Sequence, residues 1–448
     1  MNLNLINLTI ILIFIFIILE FSNYKSNFVH VLCITLIISS ICSSSILWDS
    51  NLFELNLWKI IFLILIFISF FVITELTQEK TFDVTSLLIL VFIGSVILIL
   101  SDNLIILYLG LELQTFSIFI LIAKNRNSIK GSEAGLKYFM LGAISSGFFL
   151  LSLVILFLYG LDLNLKHILL LKEDPIVYSS IILITVSFCF KLSLFPFHFW
   201  IPDIYEGSSW DTVSLVATLP KISMICVLIQ ILSNSNIILI FSLLSIGIGT
   251  LGALNQTKIK RLLAYSGISH MGFIILGTTC VSNQGSTIGS LYLIIYVLTM
   301  LSMFILIING NYKSDYIIEL GGIKLINNIT AITFILLILS IAGIPPLSGF
   351  ISKWYLIWVV MDSQFNISSF VIIIFSAIGI GYYLRIVKII YFQKKSSYFL
   401  WKNILEIKKT KTEIPSLILG FTFYGTLLLI INFSFIIDLV TYHLANLF

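Results

Sequence analysis

Long apolar runs alternate with short polar stretches along the whole chain. A transmembrane helix needs roughly 20 apolar residues, and that length divides this sequence into about fourteen predicted spans. Their limits are 3–19, 28–47, 57–74, 84–100, 103–123, 134–160, 176–199, 211–232, 236–254, 262–280, 287–308, 328–359, 367–391 and 415–437. The pattern predicts an all-α polytopic membrane protein.

Proline marks the places where these spans are expected to break. The span 328–359 is too long for one crossing, and the span 176–199 contains a proline close to a lysine. The prolines in or beside the spans are Pro196, Pro202, Pro220, Pro345 and Pro346. A broken helix frees backbone groups, which must then be buried in protein or line a wet cavity. We therefore expect discontinuous helices in spans 7 and 12.

The composition excludes a soluble domain. Of 448 residues, 59% are hydrophobic and 10% are charged, where a soluble domain carries about a quarter charged residues. The segment Met1–Leu19 is apolar almost from its first residue and lacks a basic start and a small-residue cleavage site. It is expected to be a first span and not a removable signal peptide.

Basic residues set the expected orientation. Most lysines and arginines lie in or beside loops that follow odd-numbered spans, while the even loops and their edges hold Lys59, Lys166 and Lys172. The odd loops should therefore face the positive-inside compartment. The lysine-rich segment Gln393–Glu413 is expected to be a solvated loop that meets anionic lipid, and a nucleic-acid partner is discounted.

Two further patterns suggest no cofactor site. The five cysteines lie singly in apolar runs without a CxxC or a Cys/His cluster, so iron–sulfur, haem and zinc sites built by this chain alone are not expected. Gly247, Gly249 and Gly252 fit GxGxxG, but they lie inside an apolar span with no preceding strand. Chance or helix packing is the better interpretation.

Four ionisable residues lie deep within predicted spans: Glu112, Lys191, Lys221 and Lys353. A charge at the centre of a membrane helix costs about 2.5–3.5 kcal/mol even on lenient insertion scales, so such residues are functional candidates by default. The alternative is that Glu112 pairs with a lysine only to hold helices together. One glutamate cannot neutralise three lysines, and coupled groups of this kind suit a proton relay.

Histidine and helix-end residues extend the candidate set. His198 and His270 lie within spans, where neutral histidine can shuttle protons or simply pack. A polar strip that includes Tyr265 precedes His270. Glu133 and Lys137 are four residues apart and should form a helix-end ion pair, although their position could also feed protons inward.

The two proline-broken spans resemble each other weakly. Phe190–His198 in span 7 and Ile344–Lys353 in span 12 each combine a lysine with proline. They lie five spans apart, so the second copy would have the opposite topology. Inverted repeats with discontinuous helices are typical of secondary transporters.

Four longer motifs resemble signatures of the NADH dehydrogenase subunit 2 family of respiratory complex I. They are GSEAGLKYFMLGAISSG at 131–147, FPFHFWIPDIYEG at 195–207, KRLLAYSGISHMGF at 260–273 and GIPPLSGFISKWYL at 343–356. Together they extend from span 5 to span 12. The three N-terminal spans and the last one match in hydropathy and number alone.

The resemblance implies a fold and roles for particular residues. It implies an N-terminal three-helix segment at 1–83, inverted five-helix repeats at 84–232 and 233–395, and a basic loop with the last helix at 396–448. It also implies that Glu112 pairs with Lys191, that Lys221 is a central relay and that Lys353 is the terminal lysine of a proton channel. Subunit 4 would carry glutamate at that last position, and subunit 5 would continue into a long lateral helix.

The same resemblance implies the setting of the chain. NADH, FMN, iron–sulfur clusters and ubiquinone would be bound by other subunits, and none by this chain. Its partners would be neighbouring antiporter-like and small membrane subunits of complex I, in the mitochondrial inner membrane. Two alternatives stay open: a subunit of a multi-subunit cation:proton antiporter, and a scaffold subunit that does not pump.

Overall fold

The computed structural model describes residues 48–49, 53–77, 81–124, 128–171, 174–231, 236–280, 283–309, 316–321, 323, 328–393, 419–420 and 423–424. The predicted spans 3–19 and 28–47 and nearly all of 415–437 lie outside these residues. So does the lysine-rich segment after Gln393.

The described part of the chain contains fourteen α-helices. They are α1 (Leu57–Leu76), α2 (Phe82–Leu100), α3 (Leu104–Ala123), α4 (Ile129–Leu158), α5 (Leu165–Leu170), α6 (Pro175–Lys191), α7 (Trp200–Gly207), α8 (Trp210–Ile231), α9 (Asn236–Leu254), α10 (Ile259–Thr279), α11 (Asn283–Asn309), α12 (Asn328–Ala342), α13 (Ser348–Asp362) and α14 (Asn366–Phe392). A short 3₁₀ helix, Ile317–Leu320, precedes α12.

Nine of the described helices are long and apolar enough to cross a membrane. They correspond one to one with nine predicted spans, because length and hydropathy alone define a helix that must satisfy its own backbone in lipid. Two shorter apolar helices, α6 and α12, stand at the predicted interruptions. The prediction of a helical, multi-pass membrane protein is confirmed.

The second interruption has a clear local cause. Helix α12 ends at Ala342, and Gly343 adopts a left-handed backbone with φ +81°. The Ile344 N–H donates to the Leu339 carbonyl and the Gly343 N–H to the Ser340 carbonyl, which is the Schellman pattern of helix ends. Glycine adopts this conformation without the Cβ penalty. Proline follows, and α13 begins at Ser348.

The first interruption follows a lysine. Helix α6 ends at Lys191, and residues 192–199 form turns before α7 begins at Trp200. Pro202 lies in the first turn of α7, where a missing N–H is tolerated. Pro220, by contrast, does not interrupt its span, and that prediction was wrong: α8 continues through it from Trp210 to Ile231. Neighbouring protein or side chains can satisfy the backbone group that a proline frees within a membrane helix.

Three short features depart from the sequence prediction. Trp48–Asp49 and Glu54–Leu55 form a two-residue antiparallel pair, so the described chain is not purely helical. Helix α5 is a six-residue helix where a loop was predicted. Lys59, predicted at a loop edge, is fully buried in the first turn of α1 beside Trp58.

The described helices group into two compact units. The first contains α1–α6 and residues Thr218–Ile231 of α8, and the second contains Leu192–Ala217 and α9–α14. In the first, α2 and α3 approach so closely that a Cβ at Gly94 would lie 3.0 Å from the Gly110 carbonyl oxygen.

Glycine plays the same part in the second unit. A Cβ at Gly249 would lie 2.6 Å from the Ser269 nitrogen, and one at Gly252 would lie 2.6 Å from the Tyr265 ring. The GxGxxG pattern therefore serves helix packing between α9 and α10.

Candidate functional site

Glu112 and Lys191 lie in the first unit, on α3 and at the end of α6. They interact electrostatically, and no direct ion pair joins them among the described residues. The Lys191 ammonium also lies against α4, where a Cβ at Gly142 would be 3.7 Å from Nζ. The hydroxyl of Tyr108, one turn before Glu112, interacts with its carboxylate. The Glu112 carboxylate therefore has both the Tyr108 hydroxyl and the Lys191 ammonium as polar neighbours.

Lys221 is the most deeply buried of the three predicted lysines. It lies on α8 within the first unit, and only 2% of its surface is exposed. It directly follows Pro220, whose missing N–H leaves the carbonyl four residues earlier without its usual helical donor. Ser223 donates to the Pro220 carbonyl at 3.0 Å. A buried ammonium thus sits beside a local irregularity of the helix backbone.

Lys353 closes the interruption between α12 and α13 in the second unit. Its Nζ donates to the Ala342 carbonyl at 2.7 Å, so the lysine caps the end of α12. Gly343 makes room for it, since a Cβ there would lie 2.8 Å from Cδ and 3.0 Å from Nζ. The ammonium also stands 5.7 Å from the centroid of the Phe273 ring. Lys353 is 8% exposed, and its charge is held by a carbonyl and a ring face.

His270 lies on α10 and is hydrogen-bonded at both ring nitrogens. Nδ1 is 2.9 Å from the Tyr292 hydroxyl, and Nε2 is 3.2 Å from the Tyr383 hydroxyl. Its ring centroid is 6.3 Å from that of Phe273, the ring that also faces Lys353. His270 and Lys353 therefore both lie beside the Phe273 ring in the core of the second unit.

The remaining predicted residues have more ordinary surroundings. His198 is buried in the turn region after α6, with its ring 4.2 Å from that of Phe199. Glu133 and Lys137 form the predicted ion pair on α4, at 2.6 Å, with side chains 57% and 38% exposed. Tyr265 packs its ring on Gly252.

An ion cluster that the sequence did not single out ties α7 to the start of α10. Glu206 accepts hydrogen bonds from Lys258 and, at 3.0 Å, from Arg261, which also lies 3.7 Å from Asp203. Lys260 donates to the Ser208 carbonyl at 2.6 Å. Sequence reasoning used these basic residues for membrane orientation and, in part, within the motif at 260–273. The acidic residues of the motif at 195–207 could have indicated that they form ion pairs.

The tyrosines around His270 were also missed. Tyr292 and Tyr383 lie 22 and 113 residues from His270 in sequence. The available signal was their position within apolar spans, because a buried tyrosine hydroxyl normally has a hydrogen-bond partner. Among the described residues, no group of histidine, cysteine and acidic side chains could hold a metal ion.

Each of the two units contains side chains that can accept and release protons. Lysines, histidine, a carboxylate and hydroxyls are the groups that accept and release protons at membrane depth. Most of them lie in helices that are apolar overall.

The chain resembles known proteins over most of its length. Residues 101–381 match the family model described as "NADH:quinone oxidoreductase/Mrp antiporter, TM". NADH-ubiquinone oxidoreductase chain 2 of Metridium senile is 39% identical over 81% of this chain and 97% of its own length. NADH-quinone oxidoreductase subunit N of Beijerinckia indica is 34% identical over 73% of this chain and 72% of its own.

Solved structures share the fold at lower identity. A chain of respiratory complex I from Thermus thermophilus matches with a TM-score of 0.79 and 23% identity, covering 91% of this chain and 92% of that one. A chain of the Mrp complex from Dietzia matches with a TM-score of 0.84 and 17% identity, over 94% and 92% of the two chains. These matches extend the likeness of fold over nearly the whole chain.

Proposed function

This chain belongs to the NADH:quinone oxidoreductase/Mrp antiporter family of membrane proteins, and from that premise we propose that it is the subunit 2 of respiratory complex I. Its reaction is the movement of protons across the membrane, driven by quinone reduction in other subunits. The observation that carries the proposal is the burial of Lys221 and Lys353 within apolar helices. Charges so placed are costly and are functional by default.

The proton-handling groups are Glu112, Lys191, Lys221, His270 and Lys353, with His198 as a further member. Glu112 adjusts the charge state of Lys191 through their electrostatic interaction. Lys221 is the central relay, and Lys353 is the terminal lysine. The hydrogen bond from Lys353 to the end of α12 supports its assignment, because a change in the charge of Lys353 would alter its bond to the Ala342 carbonyl at the helix break.

Three residues are accessory members. Glu133 and Lys137 are accessible enough at the start of α4 to pass protons inward, and Tyr265 extends the polar strip of α10 towards His270. Their surroundings support packing and ion pairing as strongly as a relay. For that reason they are accessory and not central groups.

The two interruptions support an inverted-repeat organisation. We assign residues 84–232 and 233–395 to the two repeats, 1–83 to an N-terminal three-helix segment and 396–448 to a basic loop with the last helix. Lys191 ends α6, and Lys353 caps α12, so each repeat places a lysine where a helix breaks. Discontinuous helices at corresponding positions are where transporters of this architecture bind their ions.

The chain acts within an assembly in the mitochondrial inner membrane. Neighbouring antiporter-like and small membrane subunits are its partners, and anionic lipid meets the lysine-rich segment after Gln393. NADH, FMN, the iron–sulfur clusters and ubiquinone are held by other subunits. This chain contributes the proton pathway and not the electron pathway.

Neutralising the buried lysines tests the proposed function. In Lys221→Ala and Lys353→Ala, we expect proton pumping and the quinone reduction coupled to it to fall, while the complex still assembles. The physical reason is that each variant removes a buried proton carrier. Pumping assays on sealed vesicles, with assembled complex measured in parallel, provide the comparison. Normal pumping in both variants would support the scaffold alternative.

The antiporter alternative is separated by the particle that contains the chain. The likeness of fold to the Mrp complex keeps it open, while the 39% identity to a complex I chain favours our proposal. On a mild-detergent native gel, the chain should migrate with a very large particle that oxidises NADH. Migration in a smaller particle without that activity, together with sodium-dependent proton exchange, would favour the antiporter.

A further inference from the structure

The hydrogen bonding of His270 goes beyond what a packed histidine requires. A neutral imidazole has one N–H donor and one acceptor nitrogen, whereas a hydroxyl can donate and accept. With hydroxyls at both nitrogens, one tyrosine accepts from the imidazole and the other donates to it. Reversing every hydrogen bond gives the other tautomer with the same contacts. The site therefore has two states related by moving protons alone.

Three helices of the second unit build this site. His270 lies on α10, Tyr292 on α11 and Tyr383 on α14, and all three side chains are buried. The Tyr296 ring packs on the imidazole with centroids 5.4 Å apart. The enclosure excludes bulk water from the side chains, so the hydroxyls supply contacts that water supplies at a surface.

Polar groups continue beyond Tyr383. Its side chain interacts with Ser266 and with Tyr382, and Tyr382 interacts with Ser269. Ser266 Oγ donates to the Leu263 carbonyl at 2.9 Å, which leaves its oxygen as an acceptor. A proton that reaches Tyr383 thus has polar neighbours on the side away from His270.

We infer that Tyr292 and Tyr383 are relay residues that pass protons to and from His270. In one direction, Tyr383 gives its hydroxyl proton to Nε2 as it receives another from Tyr382 or from a water molecule. The imidazolium gives its Nδ1 proton to Tyr292, which releases its own hydroxyl proton to a water molecule. One proton has crossed, each hydroxyl keeps one hydrogen, and no electron has moved.

The transfer leaves both tyrosines neutral and moves His270 to its other tautomer. Rotation about the Cβ–Cγ bond does not interchange the two nitrogens, so the first tautomer returns when water takes the Nε2 proton and supplies one at Nδ1. The inference rests on the proposed proton-pumping function, and it adds Tyr292 and Tyr383 to the proton-handling groups. A purely structural role would require the same contacts without proton exchange through the hydroxyls.

Removing one oxygen at a time distinguishes the two roles. In Tyr292→Phe and Tyr383→Phe, we expect protons pumped per electron pair to fall at least to the value of Lys353→Ala, measured on assembled complex in sealed vesicles. The matched control is Tyr205→Phe. Tyr205 is buried in the same unit, and among the described residues its hydroxyl has no hydrogen-bond partner, so this variant should pump normally.

The outcomes separate this inference from the proposed function. Normal pumping in both assembled phenylalanine variants, with pumping lost in Lys353→Ala, would overturn the tyrosine relay and leave the proposed function intact. Normal pumping in Lys353→Ala as well would remove the basis of both. Loss in both phenylalanine variants, with Tyr205→Phe unchanged, supports the relay.

A second measurement covers variants that fail to assemble. Infrared difference spectra of the native complex during turnover, with and without ring-labelled tyrosine, report hydrogen-bond changes at tyrosine hydroxyls. A tyrosine band that changes with turnover, and that is sensitive to deuterium oxide, is expected. The absence of any tyrosine band would contradict the inference.

Discussion

The two compact units hold their buried lysines in different ways. In the first, Lys191 interacts with the Glu112 carboxylate from a distance, and the glycine beside it leaves ordinary van der Waals space. In the second, Lys353 donates directly to the Ala342 carbonyl and is pressed against Gly343. The electrostatic environment of Lys191 is set by a carboxylate whose charge can change. That of Lys353 is set by a backbone carbonyl whose dipole is fixed.

This difference teaches where each unit should be sensitive. A site governed by a distant charge responds to substitution of the charge but tolerates changes of shape. A site governed by a helix end responds to small changes of shape, because the dipole is part of the backbone. Substitutions in both units test that division, and the largest effect is expected in the ion cluster around Glu206 in the second unit.

Reversing the charge of Glu206 should have the largest effect. In Glu206→Lys, a mostly buried residue that accepts from Lys258 and Arg261 becomes a third cation. The cluster is partly buried, so the loss should lie between the roughly 0–1 kcal/mol of an exposed ion pair and the roughly 3–5 kcal/mol of breaking a buried one, and less assembled complex is expected. The measurement is the amount and thermal stability of assembled particle.

Glu133→Lys is the control for charge reversal. Glu133 pairs with Lys137 at an exposed position, where an ion pair contributes about 0–1 kcal/mol. Its particle should be nearly as stable as the wild type. Equal losses in both variants would mean that the buried cluster does not hold α7 on α10.

A methyl group beside each lysine gives the next effect. In Gly343→Ala, the left-handed backbone strains the new residue by about 1–3 kcal/mol, and the Cβ displaces Lys353. In Gly142→Ala, the Cβ meets Lys191 Nζ at 3.7 Å within a helix. We expect lower stability and weaker pumping in the first variant, and neither in the second.

Thermal unfolding and pumping per assembled complex measure this pair. If the two alanine variants behaved alike, the contrast between a site sensitive to shape and a site sensitive to charge would be lost. Weak pumping in Gly142→Ala alone would reverse it.

The smallest effect on stability, with a clear effect on activity, is expected from Glu112→Gln. The amide keeps the shape but removes the charge that acts on Lys191, so coupled quinone reduction should fall several-fold per assembled complex. Asp162→Asn, at an exposed carboxylate outside the proposed relay, is the matched control and should change little. If Glu112→Gln reduced only the amount of complex, with normal turnover per particle, its role would be structural.

The sequence was sufficient for the spans that the structure describes and for the helix breaks beside Lys191 and Lys353. Lipid requires long apolar helices, and that requirement is visible in local composition. It was insufficient for α5 and for the pairing of Trp48–Asp49 with Glu54–Leu55, which are too short to show a period. It was misleading at Pro220, because local proline chemistry does not reveal how the surrounding protein supports a helix.

The candidate site was only partly visible in the sequence. Buried lysines stand out because each is costly wherever the chain places it. The Tyr383 contact with His270 joins residues 113 apart, and a single sequence contains no signal for that pairing. The ion cluster around Glu206 was not predicted either, because charged residues near span ends normally face water.

The number of protons moved per electron pair in the Lys353→Ala complex tests the central claim most directly. Lys388→Ala, at an exposed position near the end of α14, is the control. Our account predicts a lower number for Lys353→Ala in assembled particles and a normal number for Lys388→Ala. A normal number in Lys353→Ala, with the complex intact, would contradict the assignment of the buried lysine as a proton carrier.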